Sequence, residues 1–210
     1  MKIKKFTFNS FQENTYVVSS NNHCMIIDPG CSNLTEKKEI VDYISENQLH
    51  PIELINTHCH LDHIFGNNFI ANQYSLKPKM HQKDFPLIEK SLDIAKLYNV
   101  ELEPPPLDVD FIEENDIIKV GNTEWKIIFT PGHSPGHICL LNNQENIIIV
   151  GDVLFFMSIG RTDLPLGNHN ELIESIKTKL FSLDDKINVF CGHGKNTTIG
   201  FEKSNNPFLV

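Results

Sequence analysis

Six consecutive positions hold four side chains that bind metal: His58-Cys59-His60-Leu61-Asp62-His63 supplies three imidazoles and a carboxylate. Three further candidates follow, His133 in Thr130-Pro131-Gly132-His133, Asp152 in Val150-Gly151-Asp152 and His193 in Cys191-Gly192-His193-Gly194. Residues i and i+2 of an extended segment project to the same side, so His58 and His60 can grip one ion together. Asp62 and His63 follow as the chain turns toward a helix and can face a second ion. Imidazole nitrogen and carboxylate oxygen suit zinc, and also iron or manganese. Seven ligands are too many for one tetrahedral ion and suit two metals sharing a bridge, with Asp152 the natural bridging carboxylate. Taken singly each residue has a plainer reading. A lone His in a turn is usually structural or solvated, and an Asp after Gly is often a turn or helix-cap residue. The cluster at 58–63 decides the matter, because a packed array of imidazoles gains little without an ion. Two close cations would lower the pKa of a shared water, present hydroxide near neutral pH and polarise a carbonyl.

Rigid elements must carry these ligands. Four apolar runs, Ile52–Asn56, Trp125–Phe129, Ile147–Val150 and Ile187–Phe190, read as strands that each lead directly into a ligand-bearing turn. The N-terminal alternation over Met1–Phe8, and the runs Thr15–Ser20, Cys24–Ile27, Asp116–Val120 and His137–Leu141, read as further strands. Asp28-Pro29-Gly30 reads as a turn, and Gly121-Asn122 and Asn142-Asn143 as hairpin turns. Helices are expected over Thr35–Gln48, Ile64–Tyr74, Pro86–Tyr98 and Glu171–Leu183, the last with Leu172, Ile173, Ile176 and Leu180 on one face. Pro104-Pro105-Pro106 reads as a stiff connector. The two broadly similar halves suggest two sheets packed together with helices outside, in one domain over residues 1–210.

Composition narrows the function. A net charge of -9 argues against nucleic acid and against an anionic membrane surface as partners. The basic start Met1-Lys2-Ile3-Lys4-Lys5 lacks the apolar run of a signal peptide, and no stretch is long enough to span a bilayer. Five scattered cysteines make no disulfide framework, which points to a reducing, cytoplasmic setting. The expected partner is a small-molecule substrate, and the expected assembly a monomer or homodimer.

The Thr-His-x-His-x-Asp-His pattern at 57–63, with the later His133, Asp152 and His193, resembles the metallo-β-lactamase superfamily, and the likeness runs over nearly the whole chain. The segments Gly160-Arg161-Thr162-Asp163-Leu164-Pro165, His193–Gly200 and Asn206-Pro207-Phe208 are similar to the short bacterial form of the glyoxalase II-like hydrolases. The resemblance implies an αββα sandwich, two mixed β-sheets flanked by helices, with the site at one edge. It implies two divalent metal ions, zinc first and iron or manganese next. His58, His60 and His133 would hold the first metal, Asp62, His63 and His193 the second, and Asp152 would bridge both. It also implies hydrolysis of a thioester such as S-lactoylglutathione by a metal-bridging hydroxide. A thiolate leaves with little protonation, so no dedicated general acid is demanded. Asp62 is chiefly a ligand, with proton movement a secondary catalytic role. Full-length glyoxalase II proteins carry a C-terminal helical domain that helps bind glutathione. This sequence reaches only Val210, so that domain is expected to be absent.

Arg161 is the best substrate-binding candidate, because a guanidinium clamps a carboxylate with paired hydrogen bonds; Asp163 could orient it. His137 suggests a supporting role and Cys59 a small buried side chain. The segment Lys77–Asp110 either covers a sheet edge or overhangs the site. The alternative enzyme is a mono-iron persulfide dioxygenase, a branch that Gly160-Arg161-Thr162-Asp163 also resembles. A β-lactamase fits less well, since Asp152 stands where many such enzymes have Cys. A non-enzymatic metal-binding protein would be expected to have lost ligands, and here all are present.

Overall fold

A computed structural model describes residues 1–209, so Val210, the last residue of the expected domain, lies outside the described residues. The chain forms two compact units. One comprises Met1–Ile112 with 119–123, the other 113–118 and the chain from Glu124 onward.

The first unit contains β1 (Lys2–Phe8), β2 (Glu13–Ser20), β3 (His23–Ile27), α1 (Leu34–Glu46), β4 (His50–Ile55), α2 (Leu61–Ile64), α3 (Asn67–Tyr74), β5 (Pro78–Met80), α4 (Phe85–Tyr98) and β6 (Asp110–Phe111). Its six strands form one sheet in the order β1-β2-β3-β4-β5-β6. The first three pair antiparallel and β3 to β6 pair parallel. Parallel neighbours need crossover connections, and the helices supply them: α1 between β3 and β4, α2 and α3 before β5, α4 before β6. Asn33 starts α1 by accepting hydrogen bonds from the Thr35 and Glu36 amides. Ile40 and Ile44 of α1 then pack with Ile70 of α3 against Val17, Ile26 and Leu54 of the sheet.

The second unit contains β7 (Ile117–Val120), β8 (Thr123–Phe129), β9 (Ile138–Asn142), β10 (Ile147–Gly151), β11 (Leu154–Phe155), β12 (Ser158–Ile159), α5 (His169–Ser175), β13 (Asn188–Cys191), β14 (Thr197–Thr198) and α6 (Ile199–Asn205); residues 119–123, the tip of the β7–β8 hairpin, group with the first unit. The sheet order is β14-β13-β10-β9-β8-β7, and β11–β12 is a separate hairpin. β10 and β13 pair parallel, and β9 is antiparallel to both β8 and β10. Leu172, Ile176 and Leu180, all fully buried, pack with Leu141, Ile148, Val150 and Val189.

Several expectations are revised. Ile64–Tyr74 is not one helix: α2 begins earlier, at Leu61, and α3 is separate, so the ligand loop ends inside a helical turn. The Glu171–Leu183 helix is α-helical only in α5 and continues as a wider π turn over Ile176–Leu180. The turn expected at Asn142-Asn143 lies at residues 143–146, because β9 runs on through Asn142. The short strands β5, β6, β11, β12 and β14 carry too little periodicity to be read from sequence. No helix among the described residues is long and apolar enough to cross a membrane.

Candidate metal centre

In the first unit, β4 runs into the ligand segment, which ends in the first turn of α2. The His58 and His60 rings sit edge to face at 4.8 Å, and the His58 and His63 rings 4.0 Å apart. His63 Nε2 lies 3.6 Å from Asp62 Oδ2. Behind them stands a carboxylate whose part in the site the sequence did not reveal, Asp28, 1% exposed. Its Oδ1 accepts from the Thr57 amide at 2.7 Å, and its Oδ2 from the Thr57 hydroxyl at 2.6 Å and from His63 Nδ1 at 3.1 Å. The Thr57 hydroxyl, having donated its proton to Asp28, accepts from His58 Nδ1 at 3.2 Å. Both imidazoles therefore carry their proton on Nδ1 and present the Nε2 lone pair, the tautomer a metal needs. Asp28, His58 and His63 are close enough to share an ion. The three donors on Asp28 make it the support of the ligands rather than a ligand.

The loop is braced from two sides. The buried Asn56 side chain donates to the His63 carbonyl at 3.1 Å and is paired with Asn67 through its amide. Buried Asp84 accepts from the Cys59 amide at 2.9 Å. Leu87 and Ile88 of α4 pack with Cys59 and Ile64, and Ala95 with Leu61 and Phe65. The segment 77–110 thus both extends the sheet, through β5 and β6, and buttresses the ligand loop. Cys59 Sγ points to Met80 Sδ, 3.5 Å away. Burial, helped by the Asp84 and Asp28 charges, pushes its thiol well up, so it remains a neutral apolar side chain. Glu13 is fully buried, its Oε1 3.9 Å from His63 Nδ1 and its Oε2 accepting from the Thr15 hydroxyl. Burial raises the Glu13 carboxyl well above the usual range, with His63 pulling the other way.

In the second unit, the parallel pairing of β10 and β13 brings their carboxyl ends together, with Gly151 opposite Cys191. The Gly192 amide donates to the Gly151 carbonyl at 2.7 Å, tying the Asp152 turn to the His193 turn. His193 Nε2 lies 3.4 Å from Asp152 Oδ2, and His133 Nε2 lies 3.6 Å from the same oxygen. These separations are long for hydrogen bonds. Zinc–ligand bonds of roughly 2.0–2.1 Å would place neighbouring donors of a tetrahedral ion about 3.4 Å apart. The donor types, tautomers and spacing in each unit thus fit divalent metal. His133 lies in the β8–β9 connection. Gly132, at φ +133, lets that loop press on α5, where a Cβ would meet the Leu172 amide nitrogen at 2.2 Å. His133 Nδ1 donates to the Arg161 carbonyl at 2.7 Å, which turns Nε2 toward Asp152. His137, fully buried, accepts the Asp152 amide on Nε2 at 3.1 Å, with Nδ1 3.3 Å from the Thr130 hydroxyl. It positions the Asp152 backbone.

Arg161 is placed differently from a ready substrate clamp. Its Nε and Nη2 bind the two oxygens of Asp163 at 2.7 and 2.8 Å, on an exposed loop. That guanidinium holds the Asp163 carboxyl at about 2, below the usual aspartate range. What the sequence missed is the support: Asp28, read only as part of a turn, Asp84, and the Arg161 carbonyl. The first shows a signal in retrospect, an acid closing the apolar run Cys24–Ile27. The other two depend on contacts between distant segments.

Residues 9–193 match the description of the metallo-beta-lactamase superfamily. The chain is 36% identical to the hydroxyacylglutathione hydrolase GloC of Haemophilus influenzae over 214 residues, 100% of this chain and 98% of that protein. Among solved structures it is similar to BLEG-1, a B3 metallo-beta-lactamase, with a TM-score of 0.90 and 31% identity over 100% of both chains. It is also similar to TTHA1623 in a di-iron-bound form, with a TM-score of 0.87 and 32% identity over 98% of this chain and 100% of that one. The α/β fold, with two mixed sheets flanked by helices, is the fold of these structures.

Proposed function

Because the chain belongs to the metallo-beta-lactamase superfamily, we propose that it is a metal-dependent hydrolase of thioesters, with a glutathione thioester of a 2-hydroxy acid, such as S-lactoylglutathione, as substrate. The full-length match to a protein named hydroxyacylglutathione hydrolase carries the choice of substrate. The imidazoles anchored through Nδ1 in each unit support the metal requirement. In this reading the chain works as one domain. His58, His60 and His133 would hold one ion and Asp62, His63 and His193 the other, with Asp152 as the carboxylate they would share. Bound divalent ions would supply a water that ionises near neutral pH and positive charge for the oxyanion. Asp28 and the Arg161 carbonyl hold the His63 and His133 rings in register throughout. The Asp62 carboxylate, its side chain 16% exposed, would take a proton from an incoming water and pass it outward. A substrate carboxylate would compete with Asp163 for the Arg161 guanidinium, so that pair selects anionic substrates. A reducing, cytoplasmic setting belongs to the same proposal and is supported by five buried thiols.

β-Lactam hydrolysis is the second reading, favoured by the 31% identity to BLEG-1. Elemental analysis of protein purified without a metal-affinity column, with S-lactoylglutathione and a chromogenic cephalosporin assayed on the same sample, decides between them. About two zinc, iron or manganese ions per chain with thioester turnover would establish the reading. Fully metallated protein that leaves the thioester intact would refute it. A single iron with oxygen uptake on glutathione persulfide would replace it with the dioxygenase.

A further inference from the structure

The segment Gly160–Pro165, whose Arg161 carbonyl orients His133, and the segment Asn206-Pro207-Phe208, which has no role in the chemistry above, are joined in the structure through one buried acid. We propose that Glu202, on α6, is a positioning residue for the metal ligands His133 and Asp152, acting through the β11–β12 hairpin; the proposal rests on the metal reading above. Glu202 is fully buried. Its Oε1 accepts from the Thr197 hydroxyl at 2.5 Å, and its Oε2 from Asn206 Nδ2 at 2.8 Å and from the Met157 amide at 3.1 Å. Met157 is the turn of the hairpin and sits at φ +57, a conformation uncommon for a residue with a side chain. At 38% exposed it has little packing to hold it there, so the bond to Glu202 does. Asn206, also fully buried, adds a second tie, donating to the Ser158 carbonyl at 2.9 Å.

The far end of the same hairpin is wedged between two ligands. A Cβ at Gly160 would lie 1.9 Å from the Asp152 carbonyl oxygen and 3.1 Å from His133 Nδ1. The next residue, Arg161, accepts the His133 Nδ1 proton on its carbonyl. The α6 carboxylate, the hairpin turn, the hairpin end and the two ligands therefore form one continuous chain of contacts. Apolar packing would anchor the helix as well, and buried polar groups are costly unless hydrogen-bonded. The three donors on Glu202 instead define the position of a loop to within a hydrogen bond.

The test compares zinc affinity, read by competition with a chromophoric chelator, in wild type, Glu202→Gln, Asn206→Ser and Lys203→Ala. The Lys203 ammonium bonds the Leu183 carbonyl and Asp185, outside the clasp, so its loss serves as the control on the same helix. Glu202→Gln should weaken zinc binding about 10- to 100-fold, the range for partners that orient ligands. It should also broaden the resonance of the His133 Nδ1–H, which the Arg161 carbonyl holds in the metal-free protein, while Lys203→Ala matches wild type in both. If Glu202→Gln and Asn206→Ser lower the thermal midpoint but bind zinc as wild type does and keep that resonance, the proposal is overturned and the clasp is only a helix anchor. Should Glu202→Gln not fold, Asn206→Ser decides by the same two readings, since it keeps the carboxylate and removes the tie to Ser158. Thioester turnover on the same samples separates the two ideas. Wild type that holds zinc without hydrolysis overturns the thioesterase reading, and the zinc comparison still decides the clasp.

Discussion

Substituting Asp28→Asn isolates one atom of the site. Asp28 sits at φ +49, a left-handed conformation that asparagine also tolerates, so the change brings no backbone strain. The carboxylate offers two acceptor oxygens to three donors: the Thr57 amide on Oδ1, the Thr57 hydroxyl and His63 Nδ1 on Oδ2. An amide offers one oxygen. With that oxygen toward the Thr57 amide, the new NH2 faces the His63 Nδ1 proton, and the ring must shift its proton to Nε2, closing the nitrogen meant for metal. With the amide turned over, the buried Thr57 N–H faces another donor, at a cost of about 1–3 kcal/mol. The first arrangement should weaken metal binding about 10- to 100-fold, or about 1.4–2.7 kcal/mol. The second should lower the thermal midpoint by about 2–12 °C for a chain of this size. Chelator competition with zinc and thermal unfolding, with and without zinc, measure both. A variant that binds zinc as wild type does and also unfolds at the wild-type midpoint fits neither arrangement and would refute the reasoning.

Three further outcomes follow from the same geometry. Stripping metal with a chelator should lower the thermal midpoint and re-adding zinc should restore it, because only the folded chain assembles the ligands; an unchanged midpoint would count against the site. The Asp163 side-chain carboxyl should titrate near 2 by carbon NMR and move up to the ordinary aspartate range in Arg161→Ala. Its native pKa is depressed, so the pairing is intact above the unfolded value and is lost only as pH falls through about 2. Iodoacetamide at pH 8 should label none of the five buried cysteines until denaturant is added. Burial pushes Cys24, Cys31 and Cys139 to about 12 and Cys59 well up, and the opening of even one in the native protein would contradict the packing described.

The seven candidate ligands were legible in the sequence because metal donors are few in kind and, at 58–63, close in number. Their carriers were legible for a related reason. β4, β8, β10 and β13 are apolar runs that end where the ligand turns begin, and α1 shows its buried Ile40 and Ile44 at helical spacing. The two-residue strands gave no such pattern, and the π turn at 176–180 keeps the same apolar spacing as an α-helix, which hides it from a periodicity argument.

Amino-acid order by itself thus determined which side chains are candidates to offer nitrogen and oxygen to a metal, and which strands lead into them, since both are local properties of type and period. Only the tertiary structure decided which nitrogen of each ring faces inward. That choice belongs to Asp28 for His63, 35 positions away, and to the Arg161 carbonyl for His133, 28 positions away. Only it made Arg161 the partner of Asp163 and bound Glu202 to the hairpin turn. A hydrogen bond depends on position to within a few tenths of an ångström, and that precision comes from packed elements rather than from spacing along the chain.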